Sequence, residues 1–162
     1  MPVTITGPRG SKALAAPLRA LITAALAPEG LRIGEIAIVL TDDAALRELN
    51  RRWRGIDRAT DVLSFSYDET GPQETIRPAT RRARSVEGDL VISLDRMRDQ
   101  AKRFGVTDGA ELARLVVHGA LHLAGLDHQR AAERKAMRLR EDAVLRRGAK
   151  AVRELNRRLL VR

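Results

Sequence analysis

The chain has 162 residues, 44% of them apolar, which fits one globular domain with a sizeable core. It has no cysteine, and this excludes disulfide bridges, thiolate metal sites and cysteine nucleophiles. The net charge is +9, and twelve of the 30 Lys and Arg residues lie in the last 33 positions. Such an excess favours a polyanionic partner such as nucleic acid, although a merely solvated arginine-rich surface explains it almost as well.

Apolar periodicity and turn residues predict a mixture of strands and helices in the first half of the chain. In chain order these are a strand at 3–6, a helix at 11–27, a strand at 31–40, a helix capped at 41–43 and ending near 53, and strands at 62–67 and 89–94. The segment 68–86 between the last two strands is rich in Pro, Gly, Thr and Arg. A loop of that length inside a compact domain is usually functional or mobile.

The second half of the chain is predicted to be helical. The expected helices span 95–104, 108–124, 130–146 and 149–160. Asp108 with Glu111 three residues later resembles a capping box for the helix that carries the histidines. Because the strands come first and the helices follow, the sequence predicts a single α+β domain over 1–162.

Neither a signal peptide nor a transmembrane segment is expected. No apolar run has the length of a transmembrane span, and polar residues interrupt the first positions. We therefore expect a cytoplasmic protein without membrane contact, and the sequence makes no prediction of its oligomeric state.

All three histidines lie in one stretch, HGALHLAGLDH, at His118, His122 and His128. Helix positions four apart share a face, so His118 and His122 are expected to point toward one place. Gly125 can adopt positive φ, end the helix and turn His128 back over the other two. Three imidazoles with an open fourth position are the ligand set of a catalytic zinc site, in which the bound water ionises near neutral pH.

The sequence therefore predicts one zinc ion on His118, His122, His128 and a water molecule. Three satisfied core histidines without an ion are a poorer explanation of this clustering. Asp127 has two interpretations, either as an acceptor that orients one imidazole or as a turn residue, and the sequence favours neither.

The histidine spacing is also that of metzincin proteases, which carry a glutamate directly after the first histidine as the base for peptide hydrolysis. Here that position is Gly119, which cannot shuttle a proton. A zinc hydrolase whose water is activated by the metal and assisted by a cation remains possible. Phosphodiester cleavage suits it, since a metal and an arginine can stabilise charge on phosphate oxygens.

A second stretch, LNRRWRGIDRATDVLSF from Leu49 to Phe65, combines a helix end, a glycine turn, charged residues and the start of a strand. Functional side chains are often presented at such places. The alternative for its Arg54 is a favourable interaction with the helix dipole at the C-terminus.

Together with EGDLVIS (87–93) and AERKAMRLREDAVL (132–145), these two stretches resemble the YbeY family, bacterial zinc-dependent endoribonucleases that act in rRNA maturation. The resemblance covers most of the chain from Leu31 to Leu145. Ala59 and Ser66 stand where proline is common in the family, and Leu126 where tyrosine is frequent. None of the three is a presumed ligand.

The resemblance implies a small mixed β-sheet of about four strands covered by helices, with the metal-binding helix near a cleft. It implies zinc on His118, His122 and His128, with Arg54 as the essential catalytic cation. The implied activity is single-strand-specific endoribonuclease cleavage in rRNA processing and ribosome maturation, with the small ribosomal subunit and its assembly factors as partners. The basic helix at 149–162 would be an extension beyond the shared core.

An RNA-binding assembly factor without enzymatic activity is the alternative. In that case the zinc site would be structural and the arginine-rich C-terminal helix would supply affinity for RNA. The open fourth coordination position favours the enzyme over this factor. A metalloprotease is a distant third possibility, because Gly119 replaces the base.

Overall fold

The computed structural model of the chain describes residues 3–67, 85–126 and 131–160. Its strands form one four-stranded sheet in the order β1-β2-β4-β3. The strands are β1 (Val3–Thr6), β2 (Arg32–Thr41), β3 (Val62–Ser66) and β4 (Ser85–Ser93). β1 and β4 both pair in parallel with β2, and β3 pairs antiparallel with β4 at the edge. The predicted α+β class with a small mixed sheet is confirmed.

Six α-helices follow or connect these strands in the described part of the chain. They are α1 (Ala15–Leu26), α2 (Asp43–Arg54), α3 (Leu94–Phe104), α4 (Asp108–Leu123), α5 (Ala131–Arg147) and α6 (Ala149–Leu160). Short 3-10 turns, Ser11–Leu14 and Ala27–Glu29, flank α1. None of the helices that the structure describes is long and apolar enough to cross a membrane.

The two faces of the sheet pack against different helices because strand side chains alternate. Leu90 and Ile92 of β4 belong to the large core that α1 and α4 cover. Val91, between them, packs on the opposite face with Leu46 of α2 and Leu63 of β3. α4 and α2 therefore lie on opposite faces of the sheet.

Two local predictions were wrong. β4 begins at Ser85 instead of residue 89, because Ser85 and Val86 already pair with Arg32 and Ile33 of β2. Polar Glu87 and Gly88 break the apolar run there and concealed the start of the strand. The remaining predicted loop residues, 68–84, lie outside the described residues.

The predicted capping box of α4 is also incorrect. The N-cap is Thr107, whose side chain accepts a hydrogen bond from the Ala110 amide at 3.0 Å. Glu111 instead binds Arg114, with 2.6 Å between Oε2 and Nη2. The predicted box would have used the Glu111 amide as the donor to Asp108, so the true N-cap and its bonded amide both lie one residue earlier.

Candidate metal and phosphate site

Helix α4 lies unusually close to the sheet where it carries the histidines. A Cβ atom added to Gly119 would lie 2.7 Å from Leu90 Cδ2 of β4. One added to Gly88 of β4 would lie 2.7 Å from Leu123 Cδ2 of α4. Gly119 is therefore a packing residue that faces the sheet. A glutamate base at this position would have to enter the core, so the protease alternative lacks both the residue and the space for it.

His118 and His122 come together on the same side of α4. Their ring centroids are 5.7 Å apart and the ring planes are inclined by 32°. The side chain of His118 is 27% exposed, and His122 is exposed. The pair thus lies at the protein surface, with one ring anchored in the interior and the other beside solvent.

Each imidazole has an oxygen of a neighbouring element beside its Nδ1 atom. His118 Nδ1 is 2.5 Å from Oε2 of Glu141, a buried residue of α5. His122 Nδ1 is 3.5 Å from the Ser64 hydroxyl oxygen of β3. A carboxylate can only accept, so the neutral His118 ring carries its proton on Nδ1 and its lone pair on Nε2. Metal-binding histidines are commonly oriented by such a carboxylate partner.

The sequence interpretation did not identify Glu141. A signal for it was present, since Met137, Glu141 and Val144 are buried at helical spacing on one side of α5. A glutamate in the apolar stripe of an amphipathic helix needs a polar partner in the core. The three histidines of the chain were candidates for this polar partner.

The helix ends as predicted at Gly125. Its φ is +93°, its amide donates to the His122 carbonyl at 3.0 Å, and the Leu126 amide donates to the Leu121 carbonyl at 3.2 Å. These two bonds are those of a Schellman motif, which requires a residue with positive φ.

The third predicted ligand, His128, and its neighbour Asp127 lie outside the described residues. Within residues 3–67, 85–126 and 131–160 the structure contains no group of three metal-ligating side chains. The proposed ligand set is thus represented there by His118 and His122 alone.

Arg54 is the last residue of α2, and it approaches the same strand as His122 from the other side. Its Nη2 atom lies 3.3 Å from the Ser64 carbonyl oxygen, and its Cζ atom lies 5.9 Å from the Phe65 ring centroid. Tyr67 and Asp61 hydrogen-bond to β4, so by alternation the backbone of Ser64 faces away from β4, at the edge of the described sheet. Arg54 and His122 therefore both reach Ser64, one at its carbonyl and the other at its hydroxyl.

A cavity of about 530 Å³ adjoins Arg54. Its polar lining comes from both ends of the α2–β3 connection and from α3: Asn50, Arg54, Arg58, Thr60, Asp61, Arg96 and Gln100. None of the described histidines is among the lining residues. Arg54 is therefore shared between the cavity and the surroundings of the histidine pair.

Next to this edge, Tyr67 follows β3 and donates a hydrogen bond to Asp89 of β4. This bond, with smaller contributions from partial burial and nearby carboxylates, raises the pKa of Tyr67 to about 12. Tyr67 is consequently protonated and neutral at physiological pH, and it is not available as a general base.

Fold and site together define a class of protein: an α+β protein that presents a histidine pair and an arginine at one edge of a mixed sheet. Residues 9–149 match the family model described as Endoribonuclease YbeY. Two relatives with that name come from Moorella thermoacetica, 43% identical over 79% of this chain and 82% of the relative, and Pelotomaculum thermopropionicum, 41% identical over 90% and 95%. The solution structure of a Thermotoga maritima protein matches with a TM-score of 0.55 and 26% identity, covering 94% of this chain and 88% of the other.

The chain belongs to the Endoribonuclease YbeY family. This membership confirms the resemblance found in the sequence and the predicted class of enzyme, a hydrolase that cleaves RNA internally. RNA is accordingly the expected substrate. The matched residues end where α6 begins.

Proposed function

We propose that this chain is a zinc-dependent, single-strand-specific endoribonuclease in which His118, His122 and His128 hold one ion and Arg54 binds the scissile phosphate. The observation that supports it most directly is the convergence of His122 and Arg54 on Ser64. A metal ligand and a phosphate-binding cation must lie this close together if both are to act on one phosphodiester.

The described side chains fit a zinc ion chemically. Two imidazoles lie side by side, and the proton of His118 is fixed on Nδ1 by Glu141, which makes Nε2 the ligating nitrogen. When bound, zinc supplies a Lewis acid and lowers the pKa of a water ligand. His128 completes the set in this proposal.

In hydrolysis, a water oxygen is added to phosphorus and the P–O bond to the leaving ribose oxygen breaks. The planar guanidinium of Arg54 can donate two parallel hydrogen bonds to phosphate oxygens as their negative charge grows. Its present partners are weak, a carbonyl at 3.3 Å and an aromatic ring at 5.9 Å, so a phosphate can replace the carbonyl at small cost.

The substrate and partners in the cell are proposed from the names of the relatives. Relatives are named endoribonucleases, and we infer that the substrate is rRNA, with the small ribosomal subunit and its assembly factors as partners. Cytoplasmic location and a single domain over 1–162 stay predictions. The assembly factor without activity is disfavoured by the family membership.

The test combines elemental analysis with a cleavage assay on single-stranded rRNA fragments. Wild-type protein is expected to contain one zinc per chain and to cleave, whereas His118→Ala and His122→Ala should lose both the metal and the cleavage. His128→Ala should also lose metal and therefore thermal stability, because an ion bound only by the folded state stabilises it. Full zinc content in all three variants would refute the ligand assignment.

A further inference from the structure

Trp53, the only tryptophan in the chain, is 67% exposed at the end of α2. Tryptophan is highly buried on average, and this protein has only four aromatic residues with which to fill its core. Single exposed apolar side chains are common and by themselves mean little. The neighbours of Trp53 distinguish it.

Three arginines of the segment that carries Trp53 make no ion pair within the described part of the chain. Arg52, Arg54 and Arg58 have no carboxylate partner among the residues that the structure describes. Arg51 and Arg47 differ from them, since they pair with Glu48 at 2.7 Å and with Asp57 at 2.8 Å. The segment therefore presents an aromatic face together with arginines that form no ion pair with the acidic residues that the structure describes.

This segment is also held in a fixed conformation. Gly55, with φ +70°, ends α2, and the Ile56 amide donates to the Asn50 carbonyl at 3.2 Å. The buried Asn50 side chain in turn donates to the Arg58 carbonyl at 2.8 Å. A platform ordered before binding loses little conformational entropy when a ligand arrives.

The cavity adjoins the segment that carries Trp53, since Arg54, Ile56 and Arg58 line it. Its volume of about 530 Å³ lies within the range of roughly 300–1,000 Å³ typical of small-ligand sites. Phosphate groups held in it would be contacted by Arg54, the residue after Trp53, and by Arg58.

We propose that Trp53 is a stacking platform for a base of single-stranded RNA, and that Arg54 and Arg58 hold the phosphates next to that base. Single-stranded RNA offers both an exposed base face and phosphates, whereas a duplex keeps its bases stacked inside. This proposal rests on the proposed endoribonuclease function and assigns to Trp53 the preference for single strands. A protein that docks on Trp53 and Ile56 is the competing occupant.

The test uses the intrinsic fluorescence of Trp53, because no other tryptophan contributes. The full-length protein is titrated in a chelator, which prevents cleavage, with oligoadenylate, with an abasic sugar–phosphate chain of equal length, and with an RNA duplex. Oligoadenylate is expected to quench the emission to saturation, while the abasic chain and the duplex leave it nearly unchanged. Equal quenching by oligoadenylate and the abasic chain would show phosphate binding without stacking and overturn the proposal.

Affinity is measured separately by the anisotropy of labelled oligoadenylate. Trp53→Ala should weaken binding roughly 5- to 150-fold, the range expected for one stacked base, and Trp53→Phe should restore most of it. Phe104→Ala is the matched control. Phe104 is 56% exposed, ends α3 and precedes Gly105, but its neighbour Arg103 pairs with Asp99 at 3.6 Å, and neither neighbour of Phe104 lines the cavity as Arg54 does.

Unchanged affinity in Trp53→Ala, or an equal loss in Phe104→Ala, would refute the stacking platform. Failure of the proposed endoribonuclease function would give a different set of results. If oligoadenylate quenches Trp53 but no zinc-loaded preparation cleaves RNA, stacking stands and the zinc-dependent cleavage is wrong. If Trp53→Ala binds RNA with the wild-type affinity and cleaves it at the wild-type rate, only the stacking proposal is wrong.

Discussion

Two arginine-rich parts of this protein differ in what their guanidinium groups contact. At the end of α2 and in the connection after it, Arg52, Arg54 and Arg58 have no acidic partner within the described part of the chain. In α6, Arg157 and Arg158 both bind Glu154, at 2.5 and 2.6 Å. The first group is available to an anionic ligand, and the second is already engaged in holding its own helix.

The packing of α6 agrees with this difference. Leu155 is fully buried, and the Asn156 side chain accepts a hydrogen bond from the Gly109 amide of α4 at 3.0 Å. Arg158 also donates to the Ala13 carbonyl at 2.5 Å. The charge excess near the C-terminus thus partly serves attachment to the core. The sum of charges suggests a polyanion, but only the pairing of each charge indicates where the polyanion binds.

The largest effect is expected at Arg54. If its guanidinium binds the phosphate mainly in the transition state, Arg54→Ala should lower turnover at saturating RNA by roughly 100-fold or more. Zinc content and thermal stability should stay as in the wild type, because the side chain is exposed and its hydrogen bond is weak.

Arg52→Ala is the matched control for Arg54→Ala. Arg52 is also exposed and lacks a carboxylate partner in the described residues, yet it does not line the cavity. Its removal should leave saturated turnover unchanged. Should Arg54→Ala only raise the RNA concentration needed, with normal turnover at saturation, Arg54 would be a docking residue.

The second-largest effect is expected at Glu141, the carboxylate paired with His118. Glu141→Gln replaces the acceptor of His118 Nδ1 by an amide, and loss of such an orienting carboxylate typically lowers metal affinity roughly 10- to 100-fold. Competition with a zinc chelator measures the change. Glu111→Gln is the control, since Glu111 is as buried but pairs with Arg114 instead of a histidine. Equal zinc affinity in Glu141→Gln and the wild type would make Glu141 a packing residue.

Much of the fold followed from local patterns. Apolar alternation, the N-cap at Asp42 and the positive φ at Gly55 and Gly125 act within a few residues, so the sequence showed them directly. The start of β4 was missed because its first residues are specified by pairing with β2, 53 positions away in the register Arg32↔Ser85. Strand ends that depend on a distant partner are not visible in local hydrophobicity.

In the candidate site, too, some contacts follow from local sequence spacing and others from tertiary packing. His118 and His122 are four residues apart, so helix geometry alone predicted their proximity. Ser64 and Glu141 come from β3 and α5, and only the tertiary packing of these elements against α4 brings them to the imidazoles. The close approach that makes Gly119 a packing residue likewise depends on Leu90 of another element.

The contrast between the two arginine groups can be tested with a pair of single variants. Arg58→Ala should weaken RNA binding and make the slope of log affinity against log salt shallower by about 0.7 per lost phosphate contact. Its unfolding free energy should barely change. Arg158→Ala should do the reverse, with a loss of about 1 kcal/mol in stability from its two hydrogen bonds and an unchanged salt slope. A shallower slope in Arg158→Ala would mean that α6 also binds phosphates.

The smallest expected effect is a pH dependence of the attachment of α6. Hydrogen bonds from Arg157 and Arg158 lower the pKa of Glu154 below its ordinary value of 4.5. Because the pKa is lower in the folded state than in the unfolded state, the ionised carboxylate stabilises the fold at pH values above 4.5. This contribution is lost as the pH falls through the lowered folded-state pKa.

The measurement is the difference in Tm between the wild type and Glu154→Gln at a series of pH values. The wild type should be slightly more stable at neutral pH, and the difference should shrink as the pH falls below 4.5. The effect is small because the pair is solvent-exposed and screened. A difference that stays constant down to low pH would show that Glu154 acts through packing. In that case the arginines of α6 would have to be regarded as available to RNA, like those at the end of α2.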